Sequence, residues 1–162
     1  MNTVFSLLAA IAGVAVLVAL SVFWFSCPCE RTPGGPVRGE LVSVPVNDWS
    51  FANEVPLCQM QVNGVVPWSV NLNCMADQGA LYISCARCEG KYWSGRALAD
   101  PQGNIKIGAK VYPVMLRRVM DAAELDRAWA ARANKTGRGR DRARDPLWWS
   151  FALTSVAQTA AN

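Results

Sequence analysis

The chain contains no histidine. That absence excludes histidine general bases, Ser-His and Cys-His nucleophile systems, and every metal site that needs an imidazole. Charge is also scarce. Lys, Arg, Asp and Glu make up 17% of the sequence, where an average soluble domain has about 25%. Part of the deficit is an uncharged N-terminus. Cys85-Ala-Arg-Cys88 has no second CxxC to complete a four-thiolate zinc site. Nor does it open a helix inside a βαβ unit, as a thioredoxin-type pair would, and Gly90 follows closely. The formal net charge of +4 is not spread over a face: residues 135–145 hold five basic side chains against two acidic ones. That stretch reads as a solvated loop or as a contact with anionic lipid headgroups. With no recognition motif beside it, nucleic acid is not expected as a partner.

What the chain does have, at its start, is an apolar run. Val4–Phe25 carries no charge and is mostly Ala, Val, Leu, Ile and Phe. As a helix it extends about 33 Å, which matches a hydrocarbon core of about 30 Å. Trp24 and Phe25 stand where interfacial aromatics belong. A cleaved signal peptide fits less well. Only the α-amino group precedes the run, the run is too long, and Trp24-Phe-Ser-Cys27 is not a small-x-small site. The expected organisation is a transmembrane anchor over residues 1–26, a Pro- and Gly-containing linker over 27–40, and one domain over 41–162. The expected partner of Val4–Phe25 is the lipid bilayer. Arg31 and Arg38 follow the run and no Lys or Arg precedes it, so the positive-inside rule expects a single-pass protein with its domain in the cytoplasm. Roughly 120 residues remain for that domain, enough for one modest core.

In the cytoplasm the six cysteines are expected to be reduced. Cys58, Cys74 and Cys85 fall inside strand patterns, where a free thiol fills core as a small apolar group. Cys27 and Cys29 sit at the membrane edge, either palmitoylated or buried among headgroups. A redox role for Cys85 and Cys88 stays open.

The remainder alternates. Residues 57–62 read as a strand ending at Asn63-Gly64, the strongest short hairpin signal. The return strand puts Trp68, Val70, Leu72 and Cys74 on one face and Ser69, Asn71 and Asn73 on the other, and residues 75–79 read as a loop. Further strands cover 80–85, 104–107, 111–119 and 147–154, with a turn at Gly108-Ala-Lys110. Residues 42–46 add an edge strand, which Pro45 keeps away from the sheet centre. A short helix ends at Ala99-Asp-Pro101. Asp121 with Glu124 forms a capping box for a helix to Ala133, whose inner stripe is Ala122, Leu125, Trp129 and Ala133. The fold class is mainly β with α: an N-terminal transmembrane helix, then a six- or seven-stranded antiparallel split β-barrel with two short helices.

Several segments carry a family likeness: Gly79-Ala-Leu-Tyr-Ile83, Lys91-Tyr-Trp93, Ala99-Asp-Pro101, Ile105-Lys-Ile-Gly108 with Val111-Tyr112, Val119-Met-Asp121, and the closing Trp148-Trp-Ser-Phe-Ala-Leu153. Through them the chain resembles the pyridoxamine 5'-phosphate oxidase-like split β-barrel superfamily, which includes flavin reductases and deazaflavin-dependent nitroreductases. The resemblance implies FMN or a deazaflavin bound at a homodimer interface, and hydride transfer to a small or lipid-soluble acceptor. It nominates Lys91 and Arg87 for the cofactor phosphate, Trp93 beside the ring, Arg96 one turn further on, and Ser69, Asn71 and Asn73 for the ring edge or ribityl chain. No catalytic residue and no metal ligand is nominated. The Gly-Ser-Arg-x-Gly-Lys-like segment of deazaflavin nitroreductases is absent, as is the clustered phosphate set of the oxidases. The alternative is therefore a non-catalytic split barrel that has lost its cofactor or keeps one as a sensor.

Overall fold

A computed structural model describes residues 2–28 and 32–157. Helix α1 (Asn2–Phe25) contains the apolar run, and Val4–Phe25 is long and apolar enough to cross a membrane. Its large apolar side chains are exposed, Phe23 near its end excepted.

Seven strands follow: β1 (Glu40–Leu41), β2 (Cys58–Val62), β3 (Trp68–Asp77), β4 (Ala80–Ala86), β5 (Gln102–Ile107), β6 (Lys110–Arg118) and β7 (Trp148–Ser155). Neighbours run β6-β5-β2-β3-β4-β7, and β7 pairs again with β6. The result is a closed six-stranded antiparallel barrel, with β1 added in parallel on β6. Helix α2 (Tyr92–Ala99) lies between β4 and β5, helix α3 (Ala122–Thr136) between β6 and β7, and a 3₁₀ turn (Ser50–Glu54) precedes β2.

Period-2 alternation builds the interior. Met60 and Val62 of β2, Leu81 and Ile83 of β4, Ile105 of β5 and Phe151 of β7 are fully buried in one cluster. Strand β4 is buried on both faces, because its outward Tyr82 lies under α3. Met75, Tyr82, Val119, Ala128 and Trp148 form that second cluster, with Leu125 and Trp129 packed against it. The two indoles of Trp129 and Trp148 meet edge to face at 5.3 Å. Ala122 is exposed in the first turn, and Ala128 takes the place expected for it in the helix stripe.

Three local expectations change. First, Asn63-Gly64 is not a two-residue hairpin. The register pairs Val62 with Trp68, which leaves residues 63–67 as the loop. Neither Asn63 nor Gly64 has the positive φ that a type I′ turn requires. The tight turn falls instead at Gln78 (φ 49) and Gly79 (φ 81), between paired Asp77 and Ala80, where a loop over 75–79 was expected. Second, the edge strand is Glu40–Leu41 rather than 42–46, and it runs parallel. Its last ladder bond is Val42 N–H to the Val111 carbonyl (2.9 Å), and the chain leaves before Pro45, which has no N–H to donate. Third, four of the cysteines are not thiols; Cys27 is in neither disulfide, and Cys29, expected at the membrane edge, lies outside the described residues. Disulfides join Cys58 to Cys74 and Cys85 to Cys88, with Cα separations of 5.7 and 5.5 Å. Both lie within the range that a disulfide spans.

Candidate functional site

The polar side chains of β3 meet the segment of the chain that follows α1. Gly34 and Ser69 exchange backbone hydrogen bonds of 2.9 Å each way, forming an antiparallel bridge. Ser69 Oγ donates to the Gly35 carbonyl (2.6 Å), and Asn71 Nδ2 donates to the Pro28 carbonyl (3.1 Å). On neighbouring β2, Gln61 Oε1 accepts from the Val37 N–H (2.9 Å). The segment thus forms a strap across β2 and β3 that buries Ser69 completely.

Glycine permits the strap's close approach to the end of α1. A Cβ on Gly34 would lie 2.5 Å from Pro28 N. Arg38 completes the junction: its Nη2 donates to the Trp24 carbonyl (2.9 Å), and its guanidinium sits 5.0 Å from the centre of the Phe25 ring. A cation thereby faces the carbonyl end of α1, where the helix dipole is negative. Phe23 stacks on Trp68 at 5.4 Å and Trp68 on Tyr92 at 4.9 Å, so an aromatic ladder runs from α1 through β3 to α2.

The other nominated residues lie elsewhere. Trp93 is buried in the barrel core against Phe151 (5.4 Å). Arg96 Nε donates to the Asn63 carbonyl (2.7 Å), and Asn63 Nδ2 donates to Asp100 Oδ2 (3.1 Å), which together pin the 63–67 loop to α2. The Gln102 N–H and the Asn63 amide hold the Asp100 carboxyl below its usual range. Lys91 Nζ donates to the Ala86 carbonyl (3.1 Å), and exposed Arg87 has a left-handed φ of 52°. Asn73 is half-buried opposite Ser84 of β4. The structure brings Ser69 and Asn71 together under the strap, and Arg87 and Lys91 together on the β4–α2 loop, as two separate groups.

A cavity of about 350 Å³ lies at the β5–β6 end of the barrel, lined by Asn63, Gln102, Asn104 and Pro113 among others, and none of the seven nominated residues borders it. A second, of about 170 Å³, lies beneath the strap between Pro28, Arg38, Gln59 and Lys106. A flavin-type cofactor needs cations converging on its phosphate and free donors along its ring edge. Here Ser69, Asn71 and Gln61 already bond the strap, and Arg96 bonds a loop carbonyl. In this arrangement the nominated residues do not fit the group.

Sequence reasoning missed Lys135. Taken as part of a basic loop, it instead extends from the last turn of α3 to the barrel, where Nζ donates to the carbonyls of Ala52 (2.7 Å) and Cys74. Burial pushes its ammonium down to about 8. Its position seven residues, two helical turns, after buried Ala128 was the available signal. Glu124 was also misread. Asp121 accepts from the Glu124 N–H (2.8 Å) as an N-cap should, but the Glu124 carboxylate binds Arg117 (2.7 Å) and accepts from the Tyr82 hydroxyl (3.4 Å).

No protein-family model and no curated protein matches this chain. Solved structures do. A Listeria innocua protein provisionally named a pyridoxamine 5'-phosphate oxidase superposes with a TM-score of 0.52 at 12% identity, covering 65% of this chain and 87% of its own. A Bacteroides thetaiotaomicron protein provisionally named a 5-nitroimidazole antibiotic resistance protein gives 0.50 at 11% identity, covering 80% and 98%. This chain therefore has the split β-barrel fold of these proteins.

Proposed function

We propose that this chain is a membrane-anchored, non-catalytic split-barrel module whose flavin-type face is closed by its own juxtamembrane strap. One observation carries the reading: the polar side chains best placed for a ring edge, Ser69 and Asn71, spend their hydrogen bonds on the carbonyls of Gly35 and Pro28. The test is the ultraviolet-visible spectrum of the full chain extracted in detergent, as isolated and during titration with FMN and with a deazaflavin. The expected result is no flavin absorbance as isolated and no saturable binding. A stoichiometric cofactor in the isolated protein defeats the reading.

A second reading, an FMN- or deazaflavin-dependent oxidoreductase passing hydride to a small or lipid-soluble acceptor, is favoured by the exposed cations Arg87 and Lys91. It is supported if strap-opening variants gain stoichiometric FMN binding that Arg87→Gln then weakens.

Under either reading Val4–Phe25 is proposed to lie in the bilayer, and the barrel to pair as a homodimer. Charge and cysteine disagree about the side of the membrane. Arg31 and Arg38 favour the cytoplasm, whereas two disulfides favour an oxidising compartment. We give the cysteines more weight: four residues meet bridging geometry, while the charge difference rests on two arginines. Protease added to intact cells should then cleave the barrel, and cleavage confined to inverted vesicles reverses the assignment.

A further inference from the structure

We propose that Cys85 and Cys88 form a thiol–disulfide exchange site at the barrel rim that reacts with low-molecular-weight thiols, while Cys58–Cys74 is structural. The two pairs differ in access. Cys58 and Cys74 are 1% and 0% exposed, and so inert to solvent nucleophiles. Cys88 is also 0% exposed, but Cys85, at the end of β4, keeps 9% of its surface open. Cys85 is therefore the most open of the four bridged cysteines, and we place the attack there.

The loop itself suits exchange. Arg87, between the two cysteines, holds a left-handed φ of 52°, a conformation that strains a non-glycine residue. Of the two disulfides, the one closed by this strained loop and nearer the surface is the more labile. Cations lower thiol pKa values and so favour the leaving thiolate. Exposed Arg87 supplies one, and Lys91, whose Nζ donates to the Ala86 carbonyl (3.1 Å), holds a second on the same loop. Glu89 opposes them with a single negative charge. Behind the loop, Ser94 Oγ donates to the carbonyls of Cys88 and Lys91, which fixes the Cys88 backbone while Cys85 reacts.

In the reaction, a thiolate RS⁻ attacks Cys85 Sγ. The Cys85–Cys88 bond breaks, a Cys85–S–S–R bond forms, and Cys88 leaves as a thiolate that takes up a proton. A second RSH attacks the R sulfur, freeing the Cys85 thiol and releasing RSSR. The protein disulfide gains two electrons and two protons, and two thiols become one disulfide.

The test incubates the full chain in detergent, still folded, with glutathione, traps free thiols with a maleimide, and reads each cysteine by peptide mass spectrometry. Cys85 and Cys88 should become labelled together, about tenfold or more faster than Cys58 and Cys74. Equal rates for both pairs, or labelling only after denaturation, overturn the site. With oxidised glutathione in place of the thiol, Cys88→Ser should take up a glutathione adduct on Cys85 by exchange, releasing one glutathione, whereas Cys85→Ser should leave Cys88 unmodified. Equal capture on Cys88 overturns the assigned order of attack. Should either variant misfold, Arg87→Gln with Lys91→Gln serves in its place: exchange several-fold slower supports the site, and an unchanged rate counts against it. Reduction by a protein dithiol but not by glutathione overturns the small-thiol assignment.

Discussion

Gln78 occupies the first left-handed position of the β3–β4 turn at φ 49, where side chains other than Asn, Asp and Gly are costly. Gln78→Asn should stabilise the domain by about 0.5–1 kcal/mol, seen as a melting temperature raised by a few degrees. Lys135 gives a prediction of pH dependence. Its folded pKa is about 8, below the ordinary 10.5, so between those values the unfolded chain holds the extra proton. Stability should therefore rise with pH across that window, because the folded state no longer carries a half-buried charge. Comparing urea midpoints at about pH 7.5 and about pH 10 should show this gain in the parent and not in Lys135→Met. At this scale the core was legible. Leu81, Ile83 and Phe151 alternate in the sequence as they do in the barrel. The roles of polar residues were not legible, since Lys135, Glu124 and Ser69 take partners from 7 to 83 residues away in the chain.

Among the elements, α3 was the most readable, because its start lies in local chemistry. Asp121→Ala removes the acceptor for the Glu124 N–H and should cost about 1 kcal/mol, measured by chemical denaturation. The hairpins were less readable. Asn63-Gly64 carries the stronger turn signal, yet Arg96 and Asp100 hold Asn63 from outside, and the longer loop wins. A turn propensity of about 1 kcal/mol does not survive two tertiary hydrogen bonds of similar size. The strap was read as a linker because Pro and Gly dominate residues 32–36, and nothing local shows that Ser69 waits for Gly34 and Gly35. Gly34→Ala places a methyl group within 2.5 Å of Pro28 N and should lift the strap. Limited proteolysis should then cut within residues 32–38 faster than in the parent, while the melting of the barrel changes little.

For the whole molecule, the closed antiparallel barrel followed from counting alternating segments, since only a closed sheet or a second layer covers so many apolar strand faces. What counting could not supply was the chemistry at its surface, which depends on where the chain after α1 folds back. Seven nominated residues were spread over two surfaces and the core because residue type and spacing say nothing about which neighbours have already claimed a donor.

The junction where Arg38 grips the last carbonyls of α1 and Phe23 rests on Trp68 joins that helix to the barrel with little slack. Were α1 seated in a bilayer, as proposed, a domain tethered this closely would not sweep the space above the lipid as one on a loose leash would. A change in membrane thickness or helix tilt would then arrive at β3 as a mechanical tug.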